Sequence, residues 1–441
     1  MQLYRDKEIV IELPDDKDNY EEILRKFYKE NIASDEDEDD KDINFLENKL
    51  HDYIKNHVLH FLNRDYSNVV LLVGAGASVV SENNVVNNRY GKTMCDIAWN
   101  IFSKLYGNPP LKGFLPISYA KKFLPENIRN TITDATFKKM RSEKFDFPLE
   151  EYISNLNLYI EDAEKNGKSV RYPSLAQAKK LKKLILLEII DAVDYQYNGN
   201  MPFKHNQVIL KLLKFKHSSS QKIMVVTTNY DLAIEKSLEN DDFTIFDGFE
   251  FGENGKFNDD MFEWVLSKEV NNINTKEVIY KKHVIDLLKI HGSIDWIKKD
   301  EKIVRSSIDD VKNSIKNEEN SFKMIFPSSN KYAQSYEEPY FDLMTRFQSK
   351  LRQPNTLLVT AGFSFGDNHI SRMVINAIKH NPSLNCLITD FNIQEFNSNN
   401  KPDNVNNNWY ELDKLRDRGY NIGFLKTTMC NNNDDLSYYL G

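Results

Sequence analysis

The sequence predicts an α/β protein: a Rossmann-like parallel sheet with helices on both faces and a large helical insertion. Three observations carry this. The run Val69-Val70-Leu71-Leu72-Val73 breaks into Gly74-Ala75-Gly76-Ala77-Ser78, the pattern of a buried strand, a tight turn and a helix start. Two closely spaced glycines let backbone amides approach a pyrophosphate, and the positive end of a following helix favours that anion. Three further apolar runs, at 225–231, 287–292 and 357–364, end in polar residues. In an open parallel sheet ligands sit beyond the carboxyl ends of the strands, where Asn229, Asp231, His291 and Ser364 would then lie. Last, residues from 356 onward alternate strand with helix, which implies a parallel sheet covered on its faces.

In chain order, residues 1–66 form a leading helical and acidic segment. Residues 21–29 read as a helix, 35–40 is an unbroken run of Asp and Glu, and a second helical pattern passes through Leu46, Leu50, Ile54 and Phe61. Like charges at that density repel and bury nothing, so the acidic run reads as a solvated linker, with contact to a basic partner or neighbouring subunit as the alternative. Residues 67–441 are expected to form one large domain interrupted by a mostly helical stretch at about 93–213. Its clearest stripe is 175–193, where Leu181, Leu184, Ile185 and Ile189 recur at helical spacing while Lys179, Lys180, Lys182 and Lys183 fit an exposed face. The stretch is too long for a simple crossover, so it should form a helical layer beside the crevice, placed to cover it. A strand begins at 222. Loops with a short strand at 244–246 are expected over 241–274, and a polar surface insertion over 298–320. Strands at 356–360, 384–389 and 421–425 then alternate with helices at 369–379 and 408–418, the asparagine-rich 397–400 and 404–408 being loops.

Composition narrows the function. The 441 residues carry 58 Lys and Arg against 66 Asp and Glu, a net charge of −8, so neither nucleic acid nor an anionic membrane is an expected partner. Cys95, Cys386 and Cys430 are the only cysteines and form no CxxC pair, which excludes a disulfide framework and a cysteine zinc ribbon and points to a reducing, cytoplasmic setting. No apolar stretch reaches signal-peptide or membrane-spanning length.

Taken in order, GAGAS at 74–78, TTNYD at 227–231, HGS at 291–293 and GFSFGD at 362–367 resemble the motif series of sirtuin-like proteins. Specifically, they resemble the bacterial branch without a zinc module that acts in antiphage defence by destroying NAD. That resemblance implies a Rossmann-type NAD domain in which Gly74, Ala75, Gly76 and Ser78 cradle the diphosphate. It also implies that Asn229 and Asp231 hold the nicotinamide ribose and amide, with Thr228 and Gly362 among the NAD-contacting residues. His291 corresponds to the family's essential histidine, a base toward the ribose hydroxyls, so the implied catalytic residues are Asn229 and His291. Ser364 and Asp390 are implied near the adenosine ribose or phosphate.

The implied activity is NAD glycohydrolase, with NAD as substrate and no metal. Cleaving the bond between nicotinamide and ribose passes through an oxocarbenium-like state that needs a held ribose, a positioned water and a proton acceptor. Asparagine orients water without titrating, and histidine ionises near neutral pH. Relatives of this kind are restrained until infection, so the resemblance further implies a homo-oligomer or a partner such as a HerA-type ATPase, with the helical insertion and leading segment as candidate surfaces. Departures from the deacylases point the same way: three cysteines cannot build their four-cysteine zinc module, and residues 81–89 replace the GIPxFR loop. Arg89 in that loop is either a phosphate contact or an exposed arginine. A non-catalytic module sensing NAD or ADP-ribose, and an NAD-dependent deacylase or ADP-ribosyl transferase, remain open. A serine hydrolase built on the GxSxG around Ser364 needs an acid and then a histidine downstream, yet the last histidine is His380.

Overall fold

The computed structural model describes residues 1–16, 18–32, 42–82, 85–106, 121–131, 133, 148–166, 173–197, 202–218, 221–252, 255–271, 276–299, 302–317, 338–393, 406–431 and 435–441. Nine strands form one sheet: β1 (Gln2–Arg5), β2 (Val10–Glu12), β3 (Asn68–Val73), β4 (Ile223–Thr227), β5 (Thr244–Phe246), β6 (Val284–Lys289), β7 (Thr356–Ala361), β8 (Asn385–Asp390) and β9 (Ile422–Lys426). Their spatial order is β2-β1-β9-β8-β7-β3-β4-β6-β5. From β3 to β9 every pairing is parallel, while β1 joins β9, and β2 joins β1, antiparallel.

The parallel strands are mostly apolar because both faces are covered. Alternate positions feed different cores: Val69, Leu71 and Val73 point into one, Val70 and Leu72 into the other. The first core is closed by α1 (Tyr20–Asn31) and α2 (Ile43–Phe61), and later by α6 (His205–Leu212) and α7 (Ala233–Leu238). Between these pairs in sequence lie α3 (Met94–Tyr106), α4 (Leu149–Asn166) and α5 (Leu175–Val193). They pack with α8 (Ile308–Asn317) into a third, separate core. The second core is closed by α9 (Tyr340–Arg352), α10 (Asn368–His380) and α11 (Asn407–Asp417).

Helix α5 follows its sequence closely. Ser174 and Gln177 form a reciprocal capping box at its start, and Ala178, Leu181, Ile185, Leu186, Ile189, Ile190 and Val193 make its buried stripe. The third core also takes in Tyr230 and Ile294, which follow β4 and β6, so the helical layer lies against the carboxyl ends of those strands. No helix among the described residues is long and apolar enough to cross a membrane.

Several expectations are corrected. The leading segment is not only helical and acidic, because β1 and β2 extend the sheet edge and Tyr4 and Ile11 enter the first core. Residues 298–320 are not a plain polar insertion: Trp296–Lys299 pairs with Lys302–Arg305, and Val311 and Ile315 of α8 are buried in the third core. Residues 267–271, within the stretch expected to be loops, form an antiparallel ribbon with 276–280. Asn406 caps α11 rather than lying in a loop, accepting from the Asn408 amide at 2.9 Å. The acidic run at 35–40 and the asparagines at 397–400 lie outside the described residues.

Candidate functional site

Strand β3 is central, with the chain running to β4, β6 and β5 on one side and to β7, β8 and β9 on the other. The crevice where the winding reverses therefore opens at the carboxyl end of β3, beside β7 and β4. The glycine turn sits there.

Its form differs from the expectation. Instead of starting a helix, residues Ala75–Ser78 make a single 3-10 turn, after which the chain extends at Val79 and enters the short ribbon Ser81–Glu82 with Val85–Val86. The first amides are spent inside the protein: Gly74 N donates to Ala361 O (3.0 Å), Gly76 N to Gly362 O (3.0 Å) and Ala77 N to Gly74 O (3.0 Å). A helix dipole is thus absent from the turn. The glycines have another reason to be there. A Cβ on Gly74 would lie 2.5 Å from Gly362 O, and one on Gly362, whose φ is +61°, would lie 2.0 Å from Ala77 N. The β3 turn and the loop after β7 thus interlock through backbone at Gly74, Gly76 and Gly362.

The next strand brings in Asn229 and Asp231. Thr228 N donates to Val73 O (3.1 Å), which ties the end of β4 to the end of β3. Asn229, 7% exposed, donates its side-chain amide to Gly74 O (3.1 Å) and Ser78 Oγ (3.2 Å), while its Oδ1 meets no donor among the described residues. Asp231 accepts from Ser78 Oγ at Oδ2 (3.0 Å) and from Ala233 N at Oδ1 (3.0 Å). Burial pushes the Asp231 carboxyl above its ordinary value, with the nearby Lys289 ammonium opposing. Lys289, 2% exposed, donates to Asp231 O (2.5 Å) and Glu235 Oε1 (2.8 Å), a brace that the sequence reading did not single out.

His291 lies in the turn just beyond the neighbouring strand β6. Lys289 pairs with Thr227 across β6 and β4, and His291 and Asn229 each lie two residues further along. Its Nε2 approaches Asp367 Oδ2 at 3.3 Å. Asp367 itself caps α10, its Oδ1 accepting from His369 N (2.9 Å) and Ile370 N (3.2 Å). A loop from β7 thereby closes over the end of β6. Asp367 belongs to the GFSFGD stretch but was not among the site residues chosen from sequence; aspartate before a helical run is a cap signal, and that second role hid the first.

The remaining candidates sit further out. Ser364 is exposed; its Oγ accepts from Gly366 N (3.3 Å) and its carbonyl from Trp409 Nε1 (3.0 Å) and Asn406 Nδ2 (3.2 Å). Asp390 closes β8, two strands from β3, and burial pushes its carboxyl up to about 6. Arg89 turns away to Tyr195 O (3.0 Å), so it holds the loop to the end of the helical layer rather than facing the turn.

The fold is a doubly wound, Rossmann-like α/β sheet, with an interlocked glycine turn and polar side chains beyond β3, β4 and β6, the end of such sheets where ligands bind. Residues 223–388 match the family model of the SIR2-like domain. The match spans β4 to β8, with Asn229, Asp231, His291, Gly362, Ser364 and Asp367 inside it, and supports a sirtuin-like family, whose members use NAD. No curated protein matches the chain significantly.

Proposed function

We propose that the chain is an NAD glycohydrolase: NAD+ and water give nicotinamide, ADP-ribose and a proton. The observation that most supports this reading is the pairing of Lys289 with Thr227, since Asn229 and His291 each follow two residues past those paired strand ends and the Asn229 amide meets Gly74 O of the β3 turn. In this reading Asn229 uses its unengaged Oδ1 to hold a ribose hydroxyl or the attacking water. His291 accepts the proton released as the water adds, and Asp367 steadies the resulting imidazolium. Asp231 and Ser78 hold Asn229 in place, so the carboxamide is oriented before substrate arrives. The turn at Gly74–Ser78 receives the diphosphate, with Thr228, Gly362 and Ser364 along its path, and Asp390 takes the adenosine ribose.

The cell-level part of the proposal is an antiphage effector in the cytoplasm, restrained by self-assembly or by a partner such as a HerA-type ATPase. The motif series supports it, and so does the chemistry, since an unrestrained NADase exhausts its host.

A second reading, a non-catalytic module sensing NAD or ADP-ribose, is favoured by one feature: Asn229's two amide donor contacts and the Gly76 amide are already satisfied within the protein. Chromatography of purified protein incubated with NAD separates the two. Released nicotinamide that falls by about 10²–10⁴-fold in Asn229→Ala and in His291→Ala, with folding retained, supports the hydrolase. Unchanged turnover in both variants rejects the pair, and NAD binding without any release supports the sensor.

A further inference from the structure

At the other end of the sheet, below the amino ends of β3, β4 and β6, a cleft of about 510 Å³ opens against α9. That volume suits a small ligand. Lys222, Asp286, Arg346, Asp342, Lys350 and Gln221 all line it, and most of their charges are already matched. Lys222 Nζ meets Asp286 Oδ1 at 2.6 Å and donates to Phe262 O at 2.5 Å. Arg346 forks onto Asp259 at 3.0 and 2.7 Å and reaches Glu263 at 2.6 Å.

Two charges are left over. Lys350 is half-buried, and among the described residues its ammonium hydrogen-bonds only Asn68 Oδ1, at 3.5 Å. Asp342 is half-buried with no ion-pair or side-chain hydrogen-bond partner among the described residues. Burial pulls the Lys350 ammonium down, opposed by the nearby Asp286 and Glu263 carboxylates, and pushes the Asp342 carboxyl up, helped by Asp259 and Glu338 and opposed by Arg346. Independently, Gln221 holds a buried amide oxygen that no donor satisfies. Asp342 and Lys350 stand eight residues apart on one face of α9, separated along its axis by about 12 Å.

We propose that this cleft is a second ligand site that takes a small zwitterion, with its anionic group on Lys350 and its cationic group on Asp342. A ligand with one charge only would leave the other group as it is now. The site is separate from the glycine turn and does not rest on the hydrolase reading.

Calorimetric titration of the full chain with 6-aminohexanoate, hexanoate and hexylamine tests this. Saturable binding of 6-aminohexanoate, about tenfold or more tighter than either singly charged probe, is expected, since a hydrogen bond to a charged group is worth about that much. Asp342→Asn should lower 6-aminohexanoate to the level of hexanoate and leave hexanoate unchanged. Lys350→Met should lower it to the level of hexylamine. No saturable binding of any probe, or variants that bind 6-aminohexanoate as the parent does, overturns the proposal. Should Lys350→Met fail to fold, the near-isosteric Asp342→Asn decides alone.

Discussion

Asp367 serves two masters, and a single conservative change separates them. Asparagine caps helices as well as aspartate does, so Asp367→Asn keeps the amide contacts to α10 but removes the charge facing His291. The expected outcome is a near-unchanged unfolding midpoint and a lower kcat for NAD cleavage, a smaller loss than in His291→Ala; an unaltered kcat dismisses the pair. A different histidine governs stability. His205 is fully buried, neither ring nitrogen has a partner among the described residues, and burial pulls it down to about 4 from an ordinary value of 6.5. Between those values the unfolded chain binds a proton that the folded chain refuses, so stability is lost as pH falls through 6.5 toward 4, by about 3 kcal/mol at most. Asp390 and Asp286, each raised to about 6, act in the opposite direction over the lower part of that range, so the comparison must be made against a variant. His205→Leu should flatten the fall in urea midpoint between pH 7 and pH 5; an identical fall in both proteins refutes the assignment. At this scale Asn229, Asp231 and His291 stand out in the sequence because each ends an apolar run. It hid Asp367 and Lys289, one behind a capping role and the other inside a strand, where only the neighbouring strand shows what it braces.

The elements that were legible are those whose signal is local. Strands β3, β4, β6 and β7 are mostly apolar runs because both faces are buried, and α5 carries its own capping box and stripe. Elements made by distant pairing were not. Strands β1 and β2 have four and three residues and exist because β9 offers an edge. The turn after β3 was read as a helix start because the loop that captures its Gly76 amide lies some 290 residues on, at Gly362. That interlock makes a prediction about the element rather than about a ligand. Gly362→Ala forces a φ of +61° on alanine and drives its Cβ into the Ala77 amide. It should destabilise the fold by about 1–3 kcal/mol in chemical denaturation. If the glycines were there only to admit a diphosphate, the same variant would lose NAD affinity with its stability intact.

Over the whole molecule, the two ends of the chain are joined by one buried pair. Arg5 on β1, 2% exposed, meets Asp413 of α11 at 3.1 Å and lies over the ring of Phe424 on β9, with its guanidinium carbon 4.6 Å from the ring centre. Asp413 has a second cation, Arg416, also at 3.1 Å. The two partners are therefore unequal. Removing the carboxylate takes from the buried Arg5 guanidinium the acid it meets at 3.1 Å, whereas removing the guanidinium leaves an aspartate that keeps Arg416. Asp413→Ala should cost about 3–5 kcal/mol and Arg5→Met clearly less, because methionine also refills the space over Phe424. The double variant Arg5→Met with Asp413→Leu should recover most of what Asp413→Ala loses, since an apolar pair replaces the buried ion pair. Urea unfolding of the three proteins measures this directly. Equal losses in the two single variants would mean that the pair acts through its packing alone, and that the edge strands are held to the sheet by their backbone ladder and Tyr4 rather than by this charge.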